Sequence, residues 1–370
     1  MATNPLLELR ALGQSVWLDD LHRAMLEDGS LELMIREDGL RGQTSNPAIL
    51  AAAITRRPEY ADALTALLGT GLDALGVYEA LALEDGGRAA DLFRPVYEET
   101  GGRDGYVSIE VSPHLAHDTV GTIAEARRLW RALGRENVMI KIPGTIAGLE
   151  AIRSAISEGI NVNVTLLFSP ERYREVADAY CAGLEDRLAR GERIDRPASV
   201  ASFFLSRIDT LVDRRLDELA RAGQSAARAL RGKSAVACAS RAYEIYCEII
   251  ASGRWQRLQE AGARTQRLLW ASTSTKDPAY SPIKYVEELI AFDTVSTVPP
   301  ETFEAYKRLG RPELRLEQGL AEASDVREAL EHLGIDLEDV AAQLEKEGVR
   351  KFIEPFDGLQ AWLEKRRREH

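Results

Sequence analysis

Short apolar or alternating runs recur along the chain at residues 15–19, 42–46, 106–111, 138–143, 160–168, 199–204, 267–272 and 292–298. Their length and β-branched content mark strands. Between them lie longer segments, such as 21–36, 119–133, 170–190 and 208–222, where apolar residues return every three or four positions, as on one face of a helix. Such alternation implies parallel strands joined by right-handed crossovers, and eight such units can close on themselves. The pattern therefore predicts an α/β fold, a (β/α)8 barrel, over residues 1–300. The alternative is a doubly wound open sheet, but no Gly-x-Gly-x-x-Gly or phosphate-binding loop follows a strand to favour it.

From about residue 301 the strand signals stop and the chain becomes charged and helical. Residues 301–370 are thus expected to form a helical C-terminal extension packed on the barrel. Ser324 and Asp336 read as helix N-caps, and Gly334 and Gly348 as helix ends. The closing Lys365-Arg366-Arg367-Arg368 reads as a solvated helix terminus whose cations complement the helix dipole. No internal repeat or low-complexity linker interrupts the pattern.

Composition narrows the function classes. The 370 residues are 45% hydrophobic, enough for a full core, and carry a formal charge of −12. That charge argues against nucleic-acid binding and requires any anionic substrate to meet its own local cations. The three cysteines, Cys181, Cys238 and Cys247, follow no metal-binding or redox spacing, which suits inert core thiols in a reducing compartment. The start, Met1-Ala2-Thr3-Asn4-Pro5, has neither the basic residues nor the apolar stretch of a leader, and no apolar run reaches a membrane span. A cytoplasmic protein, monomer or homodimer, without a membrane partner is expected.

The candidate chemistry begins with Lys141, the lone lysine of the apolar run Val138-Met139-Ile140-Lys141-Ile142-Pro143. Burial disfavours an ammonium, so a lysine there tends toward the neutral, nucleophilic amine used in Schiff-base chemistry; a lysine at a strand end can also snorkel to water. Other polar residues fall at the ends of the predicted strands: Asp19, Thr44 and Asn46, Glu110, Asn163 and Thr165, Ser202 and Ser272. In a barrel those ends share one face, where active sites are built. Taken singly, Asp19 could cap a helix, Asn46 could make an Asx-turn before Pro47, and Thr165 is an ordinary strand residue. Core packing has no reason to place all of them on one face.

Five segments resemble the transaldolase family: Gln43-Thr44-Ser45-Asn46-Pro47-Ala48; Val107-Ser108-Ile109-Glu110-Val111-Ser112; Met139-Ile140-Lys141-Ile142-Pro143; Gly159-Ile160-Asn161-Val162-Asn163-Val164-Thr165-Leu166-Leu167-Phe168-Ser169; and Ser202-Phe203-Phe204-Leu205-Ser206-Arg207-Ile208-Asp209. The resemblance implies a class I aldolase barrel with elements circularly permuted relative to other class I aldolases, acting without metal or cofactor. It implies a pentose phosphate pathway enzyme that moves a dihydroxyacetone unit from sedoheptulose 7-phosphate or fructose 6-phosphate to glyceraldehyde 3-phosphate or erythrose 4-phosphate. Lys141 then resembles the Schiff-base lysine, Asp19 the acid/base at the donor C4 hydroxyl, and Glu110 with Thr165 the pair that holds a catalytic water. Asn46 and Asn163 resemble the residues that hold dihydroxyacetone hydroxyls, with Thr44, Ser108, Phe204 and Ser272 beside them. Arg207 resembles one phosphate arginine, and Ser202 is a further donor. Where a second arginine is expected this chain reads Thr273-Ser274-Thr275-Lys276, so Lys276 takes that place, as in a longer-chain branch.

Two rival activities are weighed against this. Fructose-6-phosphate aldolase resembles the same family, but Glu110 and Phe204 stand where a glutamine and a tyrosine would favour it. A zinc-dependent aldolase would use Glu110, His114 and His117. Against it, Ser112-Pro113 opens a helix there, which puts both histidines on a first turn at the rim.

Overall fold

The computed structural model describes residues 4–370, so the first three residues of the terminal segment read above lie outside it. Eight strands form a closed parallel barrel in sequence order: β1 (Gln14–Asp19), β2 (Gly42–Thr44), β3 (Tyr106–Glu110), β4 (Val138–Pro143), β5 (Val162–Leu167), β6 (Ser199–Phe204), β7 (Arg267–Ala271) and β8 (Thr294–Val298). β8 pairs back onto β1, which closes the ring and excludes the open sheet. Five strands are shorter than their apolar runs: β2, β3 and β7 stop one or two residues early, and β5 and β8 start two residues late, β5 also stopping one residue early. β5 starts at Val162, and β8 starts beyond Phe292, which is exposed, and Asp293, whose positive φ of 57° breaks extended backbone.

The N-terminal end of the barrel is plugged by a buried polar cluster under an aromatic layer. Arg267 donates to Asp104 Oδ1 at 2.8 Å and Ser15 Oγ at 2.9 Å, while Ser15 Oγ donates to Asp104 Oδ2 at 2.7 Å. A guanidinium buried this deeply is tolerable because its fork is met by paired acceptors. Trp17, fully buried, donates its Nε1–H to the same Asp104 and packs near Tyr106. Gly42, on the neighbouring strand, makes room for the indole, since a Cβ there would lie 2.5 Å from Trp17 Cε2.

The helices match their periodicity with three exceptions. The 21–36 segment splits into Arg23–Glu27 and Ser30–Glu37, because Gly29 takes a left-handed φ of 76° between them. Ser324 lies within Leu320–His332 rather than at its start, because the buried apolar face of Ala323, Val326 and Leu330 begins a turn earlier. Gly348 ends nothing: it lies inside the terminal helix, Leu337–Glu369, which Asp336 caps as expected. That glycine serves close approach, because a Cβ on it would stand 3.0 Å from Leu166 Cδ2 of β5. Gly334, with φ 76°, follows the preceding helix directly. Of the cysteines, Cys181 and Cys238 are buried, but Cys247 is exposed and is not a core thiol.

Gly42→Ala should destabilise the protein by about 1–3 kcal/mol through overpacking against Trp17. Urea unfolding would measure this, and an unchanged midpoint would mean that the indole can shift freely.

Candidate active site

Strand register sets the centre of the site. Glu110 of β3 and Asn163 of β5 stand directly beside Lys141 of β4, one on each side. Lys141 is 3% exposed; its Nζ donates to the Ser45 carbonyl at 3.1 Å and lies 3.6 Å from Glu110 Oε2. Burial pushes the Glu110 carboxyl up to about 7, although the Lys141 ammonium pulls it back. Both Glu110 oxygens and Thr165 Oγ1 are buried without a protein hydrogen-bond partner. These three atoms lie next to Lys141 or on the strand beside it, so hydrogen-bonding capacity is available where the lysine sits.

The other predicted residues divide into two layers. Asp19, Thr44, Asn46, Lys141, Ser202, Phe204, Arg207, Ser272 and Lys276 come together around a cleft of about 150 Å³ at the C-terminal mouth. Ser108, Glu110, Asn163 and Thr165 are buried and do not line it. Asn163 bridges the interior, donating to Ser108 Oγ at 2.9 Å and accepting from Ser202 Oγ at 2.7 Å. A larger cavity, about 590 Å³, lies elsewhere, but its bordering cations Arg231, Lys233, Lys284 and Arg315 are all tied to carboxylates. Size alone therefore does not locate the chemistry.

Asp19 ends β1 half-buried and caps no helix; His22 caps the next one. Its Oδ1 accepts from Thr44 Oγ1 at 2.7 Å, and Thr44 Oγ1 lies 2.8 Å from Thr297 Oγ1 of β8. Asn46 caps the helix Pro47–Arg56 through Oδ1, which leaves its amide nitrogen for the cleft. Ser272 adopts a φ of 55° just past β7, and its hydroxyl meets that of Ser206 at 2.9 Å. Arg207 is the second residue of the helix Ser206–Arg221, and Lys276 reaches from the following loop, exposed, with Nζ on Ser274 Oγ at 2.6 Å. Desolvation holds the Arg207 guanidinium below its ordinary value, and its Nη1 is buried without a protein partner.

Six lining residues were not site candidates from sequence: Ala271, Thr273 and Ser274, which neighbour Ser272 and Lys276 in the chain, and Thr297, Pro299 and Phe352. Thr297 carried a signal, a polar residue near the end of the eighth strand. Phe352 carried none, because it arrives from the terminal helix.

The zinc alternative does not assemble. His114 lies on a 3-10 turn, Pro113–Leu115, exposed and 2.7 Å from Asp357, while His117 is exposed and Glu110 is buried inside the barrel. Among the described residues, no group of three or more histidine, cysteine, aspartate or glutamate side chains could hold a metal ion.

A closed parallel barrel with a buried lysine–carboxylate pair below its C-terminal mouth defines the class: a (β/α)8 barrel with an amine lining the cleft at the end where such barrels carry their active sites. Within that class the chain belongs to the Transaldolase/Fructose-6-phosphate aldolase family, which it matches over residues 16–363. It is 49% identical to a transaldolase of Trichodesmium erythraeum across 99% of this chain and 98% of that protein. A transaldolase 2 of Nostoc sp. is also 49% identical, over 98% of each chain. A transaldolase of Thiobacillus denitrificans is 46% identical, over 96% of this chain and 98% of its own.

The raised Glu110 carboxyl has a thermodynamic consequence. Between its ordinary 4.5 and about 7 the folded protein holds a proton that the unfolded chain has released. Unfolded chains then bind fewer protons, so stability falls as pH rises through that window and levels off above it. The full cost is about 2–4 kcal/mol. Unfolding free energies of wild type and Glu110→Gln at pH 5 and pH 8 should differ in slope, with the decline absent from the variant; a shared slope would assign it to another group.

Proposed function

We propose that this chain is a transaldolase that forms its Schiff base on Lys141. The observation that carries the proposal is a buried lysine, paired only with Glu110 and a backbone carbonyl, facing a cleft whose lining includes a half-buried guanidinium without an ion-pair partner among the described residues. One end offers a nucleophile and the other an anion site, as a ketose phosphate requires.

The Lys141 amine attacks the C2 carbonyl of the donor, and the carbinolamine loses water to give the protonated imine. Glu110, with Thr165 and a water between them, moves the protons of that step; a carboxyl near 7 can take and return a proton close to neutrality. Asp19 then removes the proton of the C4 hydroxyl, the C3–C4 bond breaks, and its electron pair passes into the imine to give an enamine. The released aldose phosphate leaves, the enamine carbon bonds to the aldehyde carbon of the acceptor, and Asp19 returns its proton to the new hydroxyl; water then adds to the resulting imine, and collapse of the carbinolamine frees the product ketose phosphate and the Lys141 amine. Thr44, which donates to Asp19, keeps that carboxylate aimed into the cleft. Asn46, with Asn163, Ser108 and Ser202 behind it, orients the dihydroxyacetone hydroxyls, and Ser272 shapes the rim. Phe204 offers no hydroxyl to activate water against the enamine, which favours transfer over release of free dihydroxyacetone.

Arg207 and Lys276 hold the phosphate. No metal or cofactor is required by these steps. The free cysteines, Cys247 exposed among them, fit a cytoplasmic setting, and no helix among the described residues is long and apolar enough to cross a membrane.

Borohydride with fructose 6-phosphate should add one dihydroxyacetone-derived adduct, mapped by peptide mass to Lys141 and absent from Lys141→Arg. Asp19→Asn should still trap donor but cleave it about 10²-fold more slowly, whereas Glu110→Gln should slow trapping itself. An adduct on another lysine, or equal behaviour of the two carboxylate variants, would sink these roles. Arg207→Ala should raise KM for phosphorylated donor roughly ten- to a hundred-fold with a smaller change in kcat. Lys276→Ala should be milder, since an ammonium makes no bidentate fork. An equal deficit on unphosphorylated fructose would move the phosphate site elsewhere.

A further inference from the structure

We infer that the terminal helix is a wall of the phosphate site and that Phe352 is the residue positioning Arg207. This rests on the reading of Arg207 as a phosphate ligand. The guanidinium carbon lies 5.7 Å from the ring centre of Phe204 and 6.0 Å from that of Phe352, so one aromatic residue from the barrel and one from the terminal helix flank the same cation. Phe352 is buried and lines the cleft beside Arg207.

Arg23 makes the contrast. It too stacks on a ring, that of Tyr60, but its charge is met by Asp85 and Glu84. Arg207 makes no ion pair among the described residues, and its buried Nη1 has no protein acceptor. Two aromatic faces stabilise a cation without using its N–H donors, which lie in the guanidinium plane. A carboxylate in their place would compete with phosphate for those donors; a ring does not. An arginine side chain also has several rotatable bonds to fix on binding, and confining it beforehand reduces the entropy lost when the anion arrives.

The terminal helix is built to hold Phe352 there. Ser169 donates to Glu338 at 2.6 Å, Arg215 donates to Gln343 at 2.8 Å, His114 meets Asp357 at 2.7 Å, and Phe356 packs edge-on to Tyr78 at 5.3 Å. Gly348, one turn before Phe352, brings the helix against β5, and a Cβ there would lie 3.6 Å from Arg207 Nη1. On the β5 side Leu166 takes a φ of 60°, within a bulge where the β5–β6 register slips by one residue, and meets that glycine.

The test is inhibition by inorganic phosphate, competing with fructose 6-phosphate, in wild type, Phe352→Leu, Arg207→Ala and the double variant. Phe352→Leu should weaken phosphate inhibition and raise KM for the donor by a common factor of about three- to thirty-fold, with a smaller fall in kcat. Phe352→Tyr, which keeps the ring, should recover most of the loss. In the Arg207→Ala background the leucine substitution should add nothing, because its effect passes through the guanidinium. Phe352→Met, whose longer unbranched side chain adapts to an irregular gap, gives the same comparison if the leucine variant does not fold. Unchanged phosphate inhibition in the folded variant, or an equal further loss in the Arg207→Ala background, would overturn the inference and leave Phe352 a packing residue. If Arg207→Ala itself leaves phosphate inhibition unchanged, the phosphate reading of Arg207 fails first, and this inference fails with it.

Discussion

A lysine and a glutamate on adjacent strands, buried together inside a closed barrel, set the terms for everything above them. Glu110 stands opposite Lys141 in register, and both side chains are almost wholly buried, with Lys141 reaching the lining of the cleft. A buried pair of this kind is weak evidence for stability, since desolving two charges costs about as much as their attraction returns. The raised Glu110 carboxyl is a direct sign of that cost. Hydrophobic residues of similar volume would often pack such an interior at no loss of stability, so packing does not account for the pair, and the proposed proton transfers do. The polar layer around it follows, because Asn163, Ser108 and Ser202 satisfy one another in a place where a single amide or hydroxyl would be left unpaired.

The two ends of the barrel show opposite solutions to the same problem. At the N-terminal end, Arg267, Asp104, Ser15 and Trp17 satisfy one another so fully that the cluster acts as a rigid plug. At the C-terminal end, Glu110, Thr165 and Arg207 keep buried polar atoms without protein partners. The first arrangement fixes the strand positions. The second leaves hydrogen-bonding capacity unspent within that fixed frame, and a ligand can draw on it without the strands moving.

Most of this arrangement was legible because it follows from strand periodicity. Alternating side chains on parallel strands bring inward polar residues near the strand ends toward one mouth, and that rule gathered Asp19, Thr44, Lys141 and Ser202 at the cleft, while Glu110, Asn163 and Thr165 stay buried beneath it. It stops at properties that depend on packing between distant elements. Gly348 reads as a helix end because glycine usually disfavours helix interiors, yet here the lost propensity is outweighed by contact with Leu166. Ser324 reads as a cap, yet burial of the apolar face from Ala323 onward starts the helix earlier. Phe352 looks like any apolar position of an amphipathic helix, since nothing local records that its ring faces an arginine from residue 207. The Leu166 bulge is equally silent in sequence, because the residue is an ordinary strand former held in a strained backbone by its neighbours.

Charge completes the argument. A chain of net charge −12 repels an anionic sugar phosphate at long range, so binding must come from a local reversal of sign. Most arginines cannot supply it, because ion pairs on the helical shell already satisfy them, as for Arg254 with Glu185 and Arg174 with Glu248. Arg207 differs in being flanked by two rings, with Glu347 acting on it only from beyond ion-pair distance, and Lys276 in being tied only to a hydroxyl. In the function proposed above, these two cations take the phosphate and Lys141 takes the carbonyl, while Asn46 and the polar layer behind it orient the hydroxyls, so charge and hydrogen bonding together fix the substrate's direction in the cleft.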